Sequence, residues 1–407
     1  MTATSSRRNL MLGLATTGFA LNFWAWALLS PLGVHFAKSL HLTSFQQALL
    51  VAVPVVVGSL GRIPVGALTD RFGGRVMFPV VSAATIVPVL FIGFLGYHSY
   101  AAMLVGGFFL GIAGTAFAVG VPFVNAWFPP ERRGFAVGIF GMGMGGTAIS
   151  ALTTVRLTDH LNLQTPFAIV AGVLAAYGIG AALLLRDAPG RTAPAGSAVS
   201  RLAAALKLTV TWQAAALYAV GFGGYVAFSV YLPTYLKNVY ALTPNDAATK
   251  MAGFVVLAVL VRPAGGWLSD RIAATRVLAV AFGIVTVTAA VQATTPALQP
   301  TATIAFLTMA AALGLASGAV FALVAQQVPA QQVGAVTGFV GAAGGLGGFV
   351  PPLLMGSVYE ETGSYAGGLI GLAIIAALMA MFATSRRSSK RTRSRVSAVT
   401  GKASSVG

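Results

Sequence analysis

The sequence predicts an all-α membrane protein, with twelve transmembrane helices in two pseudo-symmetric six-helix halves. Three observations predict it. Hydrophobic residues make up 57% of the 407 positions and charged residues only 8%, with a mean hydropathy of +0.84. A water-soluble chain of this length needs more charge to cover its surface, so much of the apolar surface must face lipid. The apolar residues fall in continuous runs of about twenty, the length a helix needs to cross a bilayer and unlike the short alternating strands of a barrel. Finally, motifs recur at a constant offset of 200 residues: "GRIPVGALTDR" at 61–71 matches "VRPAGGWLSDR" at 261–271, and "PPERRGFAVGIFGMGMGG" at 129–146 matches "PAQQVGAVTGFVGAAGGL" at 329–346.

In chain order, the first run, 10–34, follows "SSRRNLMLG". Its paired arginines suggest an export signal, but the run is too long for one and many spans follow, so it reads as the first membrane helix. The remaining spans are predicted at 45–67, 76–97, 101–124, 134–155, 165–186, 210–236, 249–268, 276–294, 301–325, 334–356 and 365–384. An even number of crossings returns both termini to one side. Arg7, Arg8, Arg71, Arg75, Arg132, Arg133, Arg186, Arg191, Arg201, Lys207, Arg271, Arg276 and the C-terminal tail share that side, whereas the other carries Lys38, Arg156, Lys237 and Lys250. The excess of Lys and Arg makes the side of the termini cytoplasmic, in a cell (inner) membrane. Residues 1–186 then form the N-terminal half and 209–384 the C-terminal half. The Ala-, Pro-, Gly- and Ser-rich segment 187–208 reads as a flexible cytoplasmic linker, and 385–407 as a basic cytoplasmic tail without fixed structure.

The composition also excludes classes of function. With no cysteine in the chain, disulfides, thiolate metal sites and cysteine nucleophiles are ruled out. The four histidines (His35, His41, His98, His160) lie near loops with no helical ligand spacing, so neither a metal nor another cofactor is expected. The net charge of +17 is concentrated in "SRRSSKRTRSR" at 385–395; it suits topology and anionic lipid headgroups of the bilayer, and nucleic acid is not an expected partner. The phosphate-binding loop of ATPases is absent, and no enzymatic activity is expected. The chain is expected to act as a monomer.

Arg62 and Arg262 are the residues such a chain can least afford without a purpose. Asp70 and Asp270 should stand at the membrane interface. Eight helical residues span about 12 Å and half a hydrocarbon core is about 15 Å, so both arginines lie near the midplane. A charge there costs at least ~2.5–3.5 kcal/mol and faces protein or water. All eight acidic residues (Asp70, Glu131, Asp159, Asp187, Asp246, Asp270, Glu360, Glu361) fall in or beside loops. Two unpaired cations at matched positions point to an anion from outside the chain. The alternative is that each arginine bonds backbone carbonyls at a broken helix.

"GALTDRFGGR" and "GWLSDRIAATR" resemble the loop motif of the major facilitator superfamily, the second copy without the closing glycine pair. "AVPVVVGSLGRIPVG", "GFVGAAGGLGGFVPPLLMG", "NFWAW" and "NAWFPPERRG" are similar to segments of its nitrate/nitrite porter family, and the likeness covers nearly the whole chain. The resemblance implies a secondary transporter in which the paired arginines bind nitrate or nitrite. It also implies pocket aromatics at Phe117, Tyr225 and Phe23, with Asn125 and Ser229 as further polar candidates. Glycines Gly138, Gly141 and Gly145 on the fifth helix, and Gly338, Gly341 and Gly345 on the eleventh, would form a close or sliding interface, as small residues do in membranes. Gly66, Asp70 and Arg71, with Gly266, Asp270 and Arg271, would gate the cycle or only anchor helices. One departure stands out: the fifth helix reads "GIFGMGMGGTA", with Phe140 and Gly145 where the family pattern leads one to expect asparagine. That leaves room for another small anion, such as cyanate or a small organic acid. A proton-coupled carrier needs an intramembrane Asp, Glu or His as relay, and none is found, which favours anion exchange over proton coupling. A non-transporting receptor is a further reading, though no soluble signalling domain accompanies it.

Overall fold

The computed structural model describes residues 2–129, 132–189, 198–328 and 333–403. Among the described residues, twelve helices are long and apolar enough to cross a membrane. They are α1 (Ser6–Ser39), α2 (Ser44–Phe72), α3 (Gly74–His98), α4 (Tyr100–Trp127), α5 (Ala136–His160), α6 (Gln164–Leu184), α7 (Thr209–Tyr240), α8 (Pro244–Ser269), α9 (Ala274–Ala293), α10 (Leu298–Val324), α11 (Ala335–Thr362) and α12 (Ala366–Thr384). Each overlaps one predicted run. Several begin earlier than the apolar run because polar caps extend them. The Thr43 side chain accepts from the Gln46 amide while the Gln46 side chain accepts from the Thr43 amide, a reciprocal cap on α2. Two hundred residues on, the Thr243 hydroxyl accepts from the Asp246 amide and caps α8.

The 200-residue repeat is also visible in the packing. Helix α2 lies along α11 and α5 along α8, two contacts exchanged by the pseudo-symmetry, while α1 meets α7. These inner helices carry many of the large buried side chains, including Tyr218, Tyr225, Phe19, Phe23 and Phe140. The outer helices α3, α6, α9 and α12 turn Val87, Ile179, Val287 and Ile374 outward, as lipid-facing helices do. Close approach relies on glycine. A Cβ on Gly146 would overlap the Ala20 carbonyl of α1, and one on Gly347 the Ala219 carbonyl of α7. Gly314 of α10 likewise rests on the Ala258 carbonyl of α8.

The turn between α2 and α3 explains the glycine pair in the first loop motif. Gly73 has φ +84°, a conformation that favours glycine. A side chain there would also overlap the Asp187 carboxylate, whose Oδ1 accepts from the Arg75 amide at 3.2 Å. The second motif has Ala273 and Ala274 instead, with Ala273 at φ −49° and ψ 129°, a backbone that needs no glycine.

At the end of the bundle away from both termini, hydrogen bonds join the halves. Ser30 Oγ donates to the carbonyls of Ser229 and Val230 at 3.0 and 2.7 Å. Gln47 Nε2 donates to Thr234 Oγ1 at 2.8 Å, Arg156 Nη2 to Thr249 Oγ1 at 3.0 Å, and the Phe45 amide to Glu360 Oε2 at 2.9 Å. That end is closed.

Two expectations about the connecting segments change. Of the linker 187–208, residues 190–197 lie outside the described residues, but Ala198–Leu206 is helical rather than flexible. Its last carbonyls accept from Thr211 Oγ1 at 2.6 Å and Trp212 Nε1 at 2.9 Å, which satisfies groups a helix end leaves open. The final helix runs on from the membrane to Ala403, through the tail expected to be unstructured. A helix already nucleated propagates through Arg, Lys and Ala at little cost. Residues 404–407 lie outside the described residues.

The glycine contacts predict their own test. Gly314→Val should lower the thermal midpoint of the detergent-solubilised protein by several degrees, because overpacking costs about 1–3 kcal/mol. Gly338→Ala, where a Cβ meets nothing within 4 Å, should leave the midpoint unchanged or slightly raised.

Candidate functional site

Arg62 opens the second segment of α2, directly after a break in the helix at Gly61, and Arg262 lies inside unbroken helix beside Pro263. Both are 4% exposed. Neither faces lipid, and each reaches into the opposite half. Arg62 Nη1 donates to the Gly341 carbonyl of α11 at 2.5 Å, and its Nε to the Gly114 carbonyl of α4 at 3.4 Å. Arg262 Nη1 contacts the Met144 Sδ of α5, and its Nη2 donates to the Tyr218 hydroxyl of α7 at 3.0 Å. All four partners are neutral.

The matched glycines serve this crossing. Gly341 lies against Arg62, with 3.8 Å from a would-be Cβ to Nη1, and Gly141 lies against Arg262, with 3.3 Å to Nε. Tight 3₁₀ turns at Gly111–Thr115 and Met142–Gly145 carry Gly114 and Met144 to the site. Aromatic rings complete the lining. The Arg62 guanidinium stands 5.1 Å from the Phe117 ring and 5.6 Å from Phe222. That of Arg262 stands 5.7 Å from Phe222 and 5.8 Å from Phe321. Sharing one ring, the two charges are at most about 11 Å apart.

The structure brings together only part of the expected set. Phe117 joins the arginines. Tyr225 stacks on Phe222 at 5.8 Å, but its hydroxyl pairs with Thr147 at 3.1 Å and donates to the Met144 carbonyl at 3.4 Å; it braces the turn that carries Met144. Phe23 packs on Phe19 and Trp26; Phe19 is the residue of α1 that meets Phe117 and Phe140. Ser229 lies eleven residues beyond Tyr218, about 16 Å along the helix, in the closed end. Asn125 lies eight residues past Phe117, about 12 Å toward the termini. Gly345 packs on the Ser59 hydroxyl, whereas Gly145 and Gly338 have open space where a Cβ would stand; Gly138, Gly66 and Gly266 make loose contacts near 4 Å. Arg71 lies over Phe72 at 5.2 Å and Arg271 over Trp267 at 4.0 Å, at the helix ends with Asp70. The side chain of Asp270 lies outside the described residues.

Tyr218, Phe222, Phe321 and Met144 were missed. Two signals could have found them. Tyr218 and Phe222 are four apart, on one face of α7. Phe321 stands one turn beyond Ser317, the position the 200-residue offset assigns to Phe117. Chemically, two rigid guanidinium forks whose partners among the described residues are neutral offer charge-assisted hydrogen bonds to a planar oxyanion, and the rings exclude water from it.

Comparison with known proteins gives the family and the fold. The sequence pattern of the Major Facilitator Superfamily matches residues 15–352. The chain is 48% identical over 369 residues to the "Probable nitrate/nitrite transporter NarK2" of Mycobacterium tuberculosis, covering 90% of this chain and 93% of that one. It is 34% identical to the "Nitrite extrusion protein" of Bacillus subtilis, covering 91% and 92%. It is 32% identical to the "Probable nitrate/nitrite antiporter NarK1" of Thermus thermophilus, covering 87% and 86%. Among solved structures, a bacterial homolog of the human lysosomal transporter Spinster, inward-facing and occupied, superposes with a TM-score of 0.69 at 17% identity, over 92% of this chain and 96% of that one.

Two buried like charges on neutral partners should be a liability in the empty protein. Arg262→Met should raise the thermal midpoint by a few degrees in a buffer whose only anion is bulky gluconate, since replacing buried charge by apolar volume can stabilise by about 1–4 kcal/mol. A scan of purified protein in detergent checks it.

Proposed function

The chain belongs to the Major Facilitator Superfamily and, within it, to the nitrate/nitrite transporters, and on that premise we propose that it moves nitrate and nitrite across the membrane by alternating access, with Arg62 and Arg262 as the ligands of the anion. One observation carries this reading: one buried arginine from each half, both over the ring of Phe222, with no carboxylate among their described partners. A nitrate ion between the two forks exchanges neutral acceptors for a full charge. Because each arginine already spans to the opposite half, an anion between them ties the halves together at the midplane.

By the positive-inside rule the termini are cytoplasmic and the closed end is external, in the cell (inner) membrane. The closure is made of small polar contacts such as Gln47–Thr234 and Ser30–Val230, which a rocking motion can break without exposing a buried ion pair. When that end opens, the Asp70–Arg71 and Asp270–Arg271 ends of α2 and α8 are placed to close the cytoplasmic side. The glycine faces of α5 and α11 are where the halves slide. The protein works as a monomer in the lipid bilayer.

Exchange is the coupling that the charges favour. Without an anion, both guanidinium groups must cross the reorienting interface uncompensated, so the empty carrier moves reluctantly and nitrate entering for nitrite leaving is the preferred cycle. A second reading, another small anion such as cyanate or a small carboxylate, has one observation in its favour: Arg262 meets a thioether on α5 rather than an amide. A panel of anions tested for thermal stabilisation separates the two, because a ligand raises the midpoint by mass action.

Counterflow of labelled nitrate against nitrite in reconstituted vesicles tests the proposal. Flux that needs no counter-anion and follows a pH gradient would refute exchange. Arg62→Lys and Arg262→Lys keep the charge but lose the planar fork; each should abolish uptake, at least a hundredfold loss, while the protein still folds and inserts. Wild-type flux in either would make that arginine structural.

A further inference from the structure

The two arginines are matched in sequence but not in surroundings. At the 200-residue offset, Met144 of α5 corresponds to Gly344 of α11, and Tyr218 of α7 to Gly18 of α1. The two side chains that hold Arg262 therefore have no counterparts at Arg62. Arg62 is instead held by main-chain carbonyls of Gly341 and Gly114. The difference is built in: a Cβ at position 344 would overlap the Tyr218 ring, so the space a side chain would take in the second half is filled by the tyrosine that bonds Arg262.

Main-chain carbonyls in packed helices cannot turn away. A methionine side chain can, since it has three rotatable bonds and a soft sulfur that accepts hydrogen bonds weakly. The backbone beneath Met144 is held firmly. Its carbonyl accepts from Thr147 Oγ1 at 3.0 Å and from the Tyr225 hydroxyl at 3.4 Å, within the tight turn Met142–Gly145. Met144 is 2% exposed, so no solvent competes for the sulfur. Of the four partners of the two arginines, its thioether is the weakest acceptor and the one most free to move.

We propose that Met144 is a positioning residue for the anion: its thioether holds Nη1 of Arg262 while the seat is empty and yields that donor to the arriving oxyanion. Arg62 is then the fixed ligand and Arg262 the adaptable one. The weakness of the sulfur acceptor sets how readily the site gives up its own partner. This rests on the nitrate/nitrite reading above.

The test uses the full chain in vesicles, with nitrate–nitrite counterflow and nitrate-dependent thermal stabilisation as readouts. Met144→Gln puts an amide oxygen, a stronger acceptor, at nearly the same reach. It should raise KM for nitrate about tenfold and weaken nitrate stabilisation correspondingly, with the maximal rate within about twofold of wild type. Met144→Leu keeps the volume without an acceptor and should leave KM at or below the wild-type value. An unchanged KM in the Gln variant, or a rise in the Leu variant to match that expected for Gln, overturns the proposal. If the Gln variant does not fold, the Leu variant decides alone, with a KM fivefold or more above wild type as the refuting result. A wild type that neither exchanges nitrate nor is stabilised by it overturns the transport reading and this inference together. A Gln variant with unchanged KM on an active wild type overturns only the inference.

Discussion

Two guanidinium charges buried at mid-membrane, on neutral acceptors, constrain everything around them. Each costs at least ~2.5–3.5 kcal/mol at that depth. Part of the cost is offset by the carbonyls of Gly341 and Gly114, the hydroxyl of Tyr218, the sulfur of Met144 and the faces of Phe117, Phe222 and Phe321. Gly341 and Met144 lie across the interface of the halves from the arginines they meet, whereas Gly114 and Tyr218 lie in the arginine's own half. Gly141 follows from this, because a Cβ there would stand 3.3 Å from Nε of Arg262 arriving from the other half; one on Gly341 would crowd the Phe117 ring that lines Arg62. So do the tight turns in α4 and α5, which bring Gly114 and Met144 to the guanidinium groups.

The same constraint gives a physical reason for two halves. A single six-helix unit with one such arginine would have to satisfy it from its own helices. With two units face to face, each arginine takes one hydrogen-bond partner from its own half and one from the other. The hydrogen bonds that close the far end join uncharged groups or pair one charge with a neutral partner. Such contacts are worth little individually, which suits an interface that must open.

The repeat was legible because the offset of 200 is kept without insertion. It located Arg62 and Arg262, and the matched glycines 141 and 341, before any geometry was known. Caps such as Thr43–Gln46 and Thr243–Asp246 carry the same offset. The aromatic shell was less legible. Tyr225 was singled out on resemblance, yet Tyr218, seven residues earlier, bonds Arg262. Both lie on one helix and both are buried, so residue type alone cannot rank them. Ser229 and Asn125 were chosen as polar groups in apolar helices, and their depth along the bundle removes them from the arginines.

Apolar runs, charge asymmetry and an exact internal offset are enough, by themselves, to establish a twelve-helix bundle in two halves with an arginine in the middle of each. These are properties of composition and periodicity, which act along the chain and can be counted there. Which groups answer those arginines was decided only by tertiary structure. Helix rotation and depth determine whether Met144 or Gly145, Tyr218 or Tyr225, Phe19 or Phe23 turns toward a charge. Those rotations come from helices packing against one another, within a half for Tyr218 and Phe19 and across the interface of the halves for Met144, between residues far apart in the chain.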